Sequence, residues 1–332
     1  MTLADPPPPP SGRSVFDAAS IVPARDFVTV LGPDDVRELE AAASPIVARG
    51  EGALLELAAT GARAFPLPSL GKRLLALRAE LLGALGFAVL RGLPVSRYTP
   101  LEVATLLLGM GTHVGLPRRQ NTQGDLLGHV CDLGLTSADP SVRIYQTRER
   151  QTFHTDSCDV VALLCLREAM EGGDSLVVSA GAVYRDLHRR DPALLRRLLS
   201  PMAHDRRGEL PPNAAPFFLL PVFSWFEREL TVFYQRQYIE SAQRFSAAPR
   251  LHRRTSRPSI FLIRSPTIRR CTCGCASCRA TCSSSTTTGF STTAWPSSTI
   301  RGQDARVICS VCGSAAGEPD RSRLPSPRGT DR

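Results

Sequence analysis

Long apolar runs are missing from this chain, and no window is long and apolar enough to cross a bilayer, which argues against an integral membrane protein. The start, Met1 to Arg13, lacks the basic opening and apolar core of a secretory signal. It reads instead as a proline-rich arm, disordered over residues 1–17. Cysteine is scarce over the first 250 residues, with only Cys131, Cys158 and Cys165, as expected of a reduced cytoplasmic protein. From residue 251 onward acidic residues nearly vanish and lysine is absent. That segment holds 13 arginines and 4 acidic residues, against chain totals of 40 basic and 31 acidic. The 27 basic and 27 acidic residues before it balance, so the whole formal charge of +9 sits in the last quarter. A nucleic-acid or membrane-surface partner for the main body is therefore not expected. Seven of the ten cysteines lie in the same last quarter.

What is present over the first 250 residues has the texture of a globular protein. Val36 to Ala43 has helical spacing after Pro33-Asp34, and Leu70 to Leu85 forms a second amphipathic helix. Gly86 to Gly92 is a short apolar run between glycines, hence a buried strand. Thr99 opens a helix to about Leu108, with Glu102 at the third position of a capping box. Strands are expected over Val142 to Thr147, Thr152 to Asp156, Val160 to Leu166 and Ser175 to Ser179. A helical region from Ala182 to Leu199 breaks at Pro192, and Phe217 to Trp225 pairs with Leu230 to Tyr234 as a hairpin. Short strands with helices packed outside imply an α+β fold built on an antiparallel barrel or jelly roll.

Phe153-His154-Thr155-Asp156 is the most informative short segment. On a strand, residues i and i+2 point to one face, so His154 and Asp156 offer a nitrogen and a carboxylate oxygen to one metal. Two histidines and one carboxylate on one octahedral face suit iron(II) and leave positions open for a co-substrate and dioxygen. Taken alone, H-x-D more often marks surface polar residues.

The surroundings change that balance. The segments Gly86 to Gly92, Gln120 to Gly128, Tyr145-Gln146-Thr147, Phe153 to Ser157, Gly172-Gly173-Asp174-Ser175 and Tyr238 to Arg244 follow one another in a specific order and spacing. In this the chain resembles the TauD/TfdA family of iron(II)/2-oxoglutarate oxygenases, within the clavaminate synthase-like superfamily, from about Ala18 to about Arg250. The resemblance implies a double-stranded β-helix, or jelly roll, with flanking helices. It implies iron(II) held by His154 and Asp156, with 2-oxoglutarate and dioxygen as co-substrates. Ser175 would place its hydroxyl on 2-oxoglutarate, although it also reads as an ordinary strand residue. Asn121 falls where such enzymes line the substrate cavity, and equally reads as a turn-capping residue before Gly124. The substrate would be a small molecule.

The family also needs a distal histidine as third iron ligand and an arginine for the far carboxylate of 2-oxoglutarate. Neither is present in frame. His188, His204 and His252 follow Asp156, and none has a suitable strand context. Residues 251–332 show neither strand nor helix periodicity and read as a disordered basic tail, with the closing strands of the jelly roll lost and residues 18–250 an incomplete domain. A frameshift near residue 250 accounts for this. With each codon read as the last base of one residue and the first two of the next, Cys282 through Ala294 can encode Gln-Phe-Leu-Asn-Asn-Tyr-Gly-Val-Phe-His-Asp-Arg. Arg306 through Ser314 can encode Arg-His-Leu-Leu-Arg-Leu-Trp-Leu. Both strings resemble the family's closing motifs, and the histidine straddles Ser291 and Thr292. Activity in the chain as written would then be impaired. Three alternatives stay open. One is a zinc module on Cys275, Cys278, Cys309 and Cys312; another is an arginine-rich nucleic-acid-binding tail; the third is a catalytically dead or purely binding relic.

Overall fold

The computed structural model describes residues 5–121, 124–137, 142–149, 151–167, 175–208, 214–251 and 255, and the backbone of four strands between 269 and 312. The chain begins with helix α1 (Pro23–Asp26), strand β1 (Val28–Val30) and helices α2 (Pro33–Val47), α3 (Ala53–Thr60) and α4 (Leu70–Gly83). Strand β2 (Phe87–Arg91), helix α5 (Pro100–Val114) and strands β3 (Leu116–Pro117), β4 (Gly128–Val130), β5 (Val160–Cys165) and β6 (Ser175–Ser179) follow. Then come helices α6 (Ala180–Arg190) and α7 (Pro192–Leu198), and strands β7 (Met202–Asp205), β8 (Phe217–Leu220), β9 (Phe223–Phe226) and β10 (Glu229–Val232). Helix α8 (Arg236–Ser241) and strands β11 (Arg269–Cys271), β12 (Cys282–Ser285), β13 (Gly289–Ser291) and β14 (Arg306–Cys312) complete the order.

Helix α5 shows why these residues fold as they do. Thr99 Oγ1 accepts the Glu102 N–H at 3.3 Å, and the Glu102 carboxylate accepts the Thr99 N–H at 2.7 Å, so two otherwise orphaned donors are satisfied. The helix outruns the expected end at Leu108 because Gly109 to Val114 remain packed in the core apart from the half-buried His113. Gly109 lies under the fully buried Phe65 ring, where an added Cβ would sit 2.5 Å from a ring carbon. Gly109→Ala is therefore expected to destabilise the protein by about 2 kcal/mol, outweighing the helix-propensity gain of up to about 1 kcal/mol. Urea unfolding measures it, and an unchanged or raised midpoint would refute the packing account.

The main sheet runs β1-β2-β12-β5-β14-β3, with β4 also paired to β14, and a second sheet runs β11-β6-β13. Helices α2, α4 and α5 cover one face of the main sheet through Leu39, Leu74 and Leu107 against Ala88, Leu90 and Leu164. A second core joins α6 and α7 to β9 and β10. Among the described residues, no helix is long and apolar enough to cross a membrane.

Several expectations are corrected. The closing strands are not lost as backbone: β12 fills the position between β2 and β5, and β14 pairs with six residues of β5. Ladder hydrogen bonds use main-chain groups that every non-proline residue carries, so side-chain texture concealed these strands. The N-terminal arm is docked from Asp5 onward rather than disordered. Tyr184 donates its hydroxyl to the Pro7 carbonyl at 2.8 Å, Arg196 pairs with Asp5 at 2.6 Å, and Phe16 is buried against Phe87. The expected hairpin divides into two ladders, β7–β8 and β9–β10, the latter turning on Glu227 and Arg228 at φ 46° and 71°. Val142 to Thr147 forms a 3-10 turn over Ile144–Gln146 instead of a strand.

Candidate metal centre

His154 and Asp156 lie on a loop and not on the expected strand. The loop is clamped to the segment after β10. Thr155 N–H donates to the Tyr234 carbonyl at 2.9 Å, Tyr234 N–H donates to Thr155 Oγ1 at 2.8 Å, and Gln235 Nε2 donates to the Thr155 carbonyl at 2.9 Å. Thr155 is 2% exposed, so these bonds hold the backbone between the two candidate ligands away from water.

The imidazole of His154 is oriented as a ligand. Its Nδ1 lies 2.8 Å from the Thr152 carbonyl, which can only accept, so Nδ1 carries the proton and Nε2 presents a lone pair. That lone pair accepts from Gln151 Nε2 at 3.0 Å. Asp156 Oδ1 is 3.9 Å from His154 Nε2. Ligands at right angles on one ion, each bonded at about 2.1 Å, lie about 3 Å apart, so a modest turn of Asp156 closes the pair onto a metal. His154 is 5% exposed and Asp156 half-buried, which leaves one open side. The donor set, a neutral imidazole and a carboxylate, fits a divalent first-row metal.

Among the described residues, no third candidate ligand joins them. No group of three His, Cys, Asp or Glu able to hold a metal occurs among the described residues. His188 stacks on Tyr184 in the last turn of α6. His204 does lie in a strand, contrary to expectation, but its ring is fully buried between Phe218 and Phe233, with Nε2 on the Leu220 carbonyl. His252 lies outside the described residues. Ser175 opens β6 opposite Cys271 of β11. Asn121 closes a turn: its Oδ1 accepts from Asp125 N at 3.1 Å and its amide donates to Asp125 Oδ2 at 2.7 Å. Cys309 and Cys312 lie on the backbone of β14. Cys275 and Cys278 lie outside the described residues.

The profile of the family described as taurine catabolism dioxygenase TauD, TfdA family matches residues 53–292. The chain belongs to the TauD/TfdA family of iron(II)/2-oxoglutarate-dependent dioxygenases. The match starts later than the resemblance from Ala18 and runs past Arg250, through β11, β12 and β13. FR-33289 synthase of Streptomyces rubellomurinus is 31% identical over 235 residues, which is 70% of this chain and 68% of that one. The non-heme iron oxygenase OrfP, solved with Fe and alpha-ketoglutaric acid, superposes with a TM-score of 0.58 at 14% identity, over 87% of this chain and 94% of that one. An asparagine oxygenase solved with Fe(II), 3-hydroxyasparagine and succinate gives 0.60 at 16% identity, over 86% and 94%. The double-stranded β-helix with flanking helices is thus the fold of this TauD/TfdA chain, and iron(II) with 2-oxoglutarate is its cofactor set.

Sequence reasoning missed Gln151, which bonds the His154 ring, and Thr155, which clamps the loop between the two candidate ligands. Their proximity to H-x-D was the available signal. It also missed the burial of His204, which pushes that imidazole down to about 4 despite the opposing bond to Leu220. The fold holds His204 neutral, whereas an unfolded chain takes up its proton near the usual 6.5. His204 therefore contributes full stability above about pH 6.5 and loses it as pH falls toward 4, a change of about 3 kcal/mol. Urea unfolding at pH 7 and pH 4.5 is expected to show this loss, and His204→Phe to flatten it. An equal pH dependence in the variant would exonerate His204.

Proposed function

We propose that His154 and Asp156 hold iron(II), and that the site hydroxylates a small molecule while 2-oxoglutarate and dioxygen become succinate and carbon dioxide. One oxygen atom enters the substrate C–H bond and the other enters succinate, so the electrons balance without a further reductant. The observation that carries this is the oriented pair itself, with Nδ1 tied to Thr152 and Nε2 3.9 Å from Asp156 Oδ1. Bound iron(II) supplies the redox chemistry that activates dioxygen. The chain's own residues do the positioning. The Thr152 carbonyl fixes the imidazole tautomer, and Thr155 with Tyr234 and Gln235 keeps the loop from swinging. Ser175 is assigned the hydroxyl contact to 2-oxoglutarate. Asn121 shapes the substrate side through its turn to Asp125. The low cysteine usage of the first 250 residues, Cys131, Cys158 and Cys165 alone, supports a cytoplasmic location.

The last quarter of the chain is the product of a shifted frame, so activity as written is impaired. Support comes from sheet register. Strand β12 is an interior strand whose neighbours are buried on both faces, with Ala88, Leu90 and Leu164 on one and Phe87 and Val89 on the other. Interior strands of such sheets are apolar, yet β12 reads Cys-Ser-Ser-Ser. The shifted codons give Gln-Phe-Leu-Asn at that place. Iron(II)- and 2-oxoglutarate-dependent succinate formation tests the proposal. Its absence from both this chain and a counterpart with the frame restored would overturn it.

A further inference from the structure

The docked arm opens on an unbroken proline run, Pro6 to Pro10. Exposure along it repeats every three residues. Asp5, Pro8 and Ser11 are exposed, whereas Pro6, Pro7, Pro9 and Pro10 are half-buried. A polyproline II helix has three residues per turn, so a run of this kind laid on a surface turns two residues inward and the third outward. Proline has no N–H, and carbonyls are the main-chain hydrogen-bonding groups that the run offers. A surface that receives it must bring donors and room for the rings.

The face of α6 and α7 brings both. Tyr184 donates its hydroxyl to the Pro7 carbonyl at 2.8 Å. Its ring is fully buried and held edge-on by Phe223 at 5.3 Å and Trp225 at 5.4 Å, which aims the hydroxyl at the arm. Gly181, three residues earlier on α6, is a notch. An added Cβ there would meet Val15 Cγ2 at 3.0 Å and Pro10 Cγ at 3.1 Å. Ser179, the N-cap of α6, donates its hydroxyl to the Ser14 carbonyl while accepting the Ala182 N–H at 2.9 Å. Arg196 of α7 pairs with Asp5 at 2.6 Å. That pair is exposed and adds little energy, but it sets which end of the run lies on α7.

Ser11, Gly12 and Arg13, all exposed, join the run to the buried Phe16. Gly12 adopts φ 90°, and no other part of the molecule lies within 4 Å of where its Cβ would be. This open hinge lets the run leave while Phe16 stays packed on Phe87. We propose that the α6–α7 face around Tyr184 and Gly181 is a recognition site for a proline-rich segment. A lone molecule fills it with its own arm. When that arm swings out, the arm of a second copy takes its place. The second copy is the occupant because its arm is the sequence that these contacts fit. Exchange of an identical element about a hinge is a low-cost route to a dimer.

The test uses neither metal nor 2-oxoglutarate. A fluorescein-labelled peptide of residues 1–16 is titrated into the full chain and followed by anisotropy. In the native chain the tethered arm competes at an effective concentration of about a millimolar. A full-length Pro7→Gly/Pro10→Gly variant, whose arm is loosened, is therefore expected to bind the peptide at least about tenfold more tightly than the native chain. Adding Gly181→Val to that variant is expected to abolish binding. Adding Tyr184→Phe instead, which removes one donor and little volume, is expected to weaken it about fivefold. If Gly181→Val does not fold, Tyr184→Phe decides. Equal affinity in the native and loosened chains, no detectable binding to the loosened chain, or binding indifferent to the site substitutions would overturn the recognition site. The second copy is tested by mixing the loosened chain, which keeps the site, with Gly181→Val alone, which keeps the arm. Above the measured peptide Kd, sedimentation is expected to show a one-to-one dimer that neither protein forms by itself. Monomers alone in the mixture would overturn the exchange. Where Gly181→Val does not fold, Arg196→Glu/Tyr184→Phe takes its place in the mixture.

Discussion

A gene with one base inserted near codon 250, restoring the upstream frame, is expected to yield a protein that forms succinate at least about 100-fold faster than the chain as written. The shifted codons place a histidine at the junction of Ser291 and Thr292, at the end of β13, which pairs with β6. They place two arginines within the stretch of β14, which lies along β5. On the frameshift proposal, strand pairing already sets the backbone at the positions where the shifted codons put a third ligand and a carboxylate anchor. A ligand set short by one group holds the metal loosely, and misplacement of reacting groups by an ångström lowers rates by about 100-fold. The restored chain is also expected to be more stable, since Phe and Leu codons replace serines on an interior strand whose neighbours Leu90, Ala88 and Leu164 are buried. The assay is iron-dependent succinate release, run side by side on both proteins. Equal rates would sink the frameshift, as would a gene sequence across codons 245 to 315 unable to encode the shifted strings.

Local signals in the sequence were strong where local chemistry decides structure. The Thr99–Glu102 capping box, the apolar run between Gly86 and Gly92 and the break at Pro192 all correspond to element ends in the fold. The pair His154 and Asp156 came from an alternation argument that assumed a strand. The backbone there bonds instead to Tyr234 and Gln235, some eighty residues on, and the two side chains still approach to 3.9 Å. What sequence could not show depends on long-range pairing. Pro7 reads as loose until Tyr184 donates to its carbonyl. Arg143, Arg207 and Tyr238 share no periodicity and meet only because the 3-10 turn at Ile144, the β7 end and α8 meet. The serines of β12 concealed a strand because ladder bonds are indifferent to side chains, although the burial that a strand needs is not.

His154→Ala is expected to weaken manganese(II) binding, read by electron paramagnetic resonance, at least about 100-fold, and Asp156→Ala comparably. Loss on that scale is also what unfolding would give, so a variant of opposite sign is the sharper test. Gln151 Nε2 donates to His154 Nε2, the lone pair that a metal must take. Metal entry breaks that bond, whose net worth is about 1 kcal/mol. Gln151→Ala is therefore expected to tighten manganese binding about threefold to tenfold, because the competitor for the lone pair is gone. The bond from Nδ1 to the Thr152 carbonyl survives in this variant, so the ring keeps its tautomer. Tighter binding in Gln151→Ala together with abolished binding in His154→Ala places the metal on Nε2. Weaker binding in Gln151→Ala would instead make the amide a support of the bound metal. Unchanged binding in both variants would remove His154 from the centre altogether.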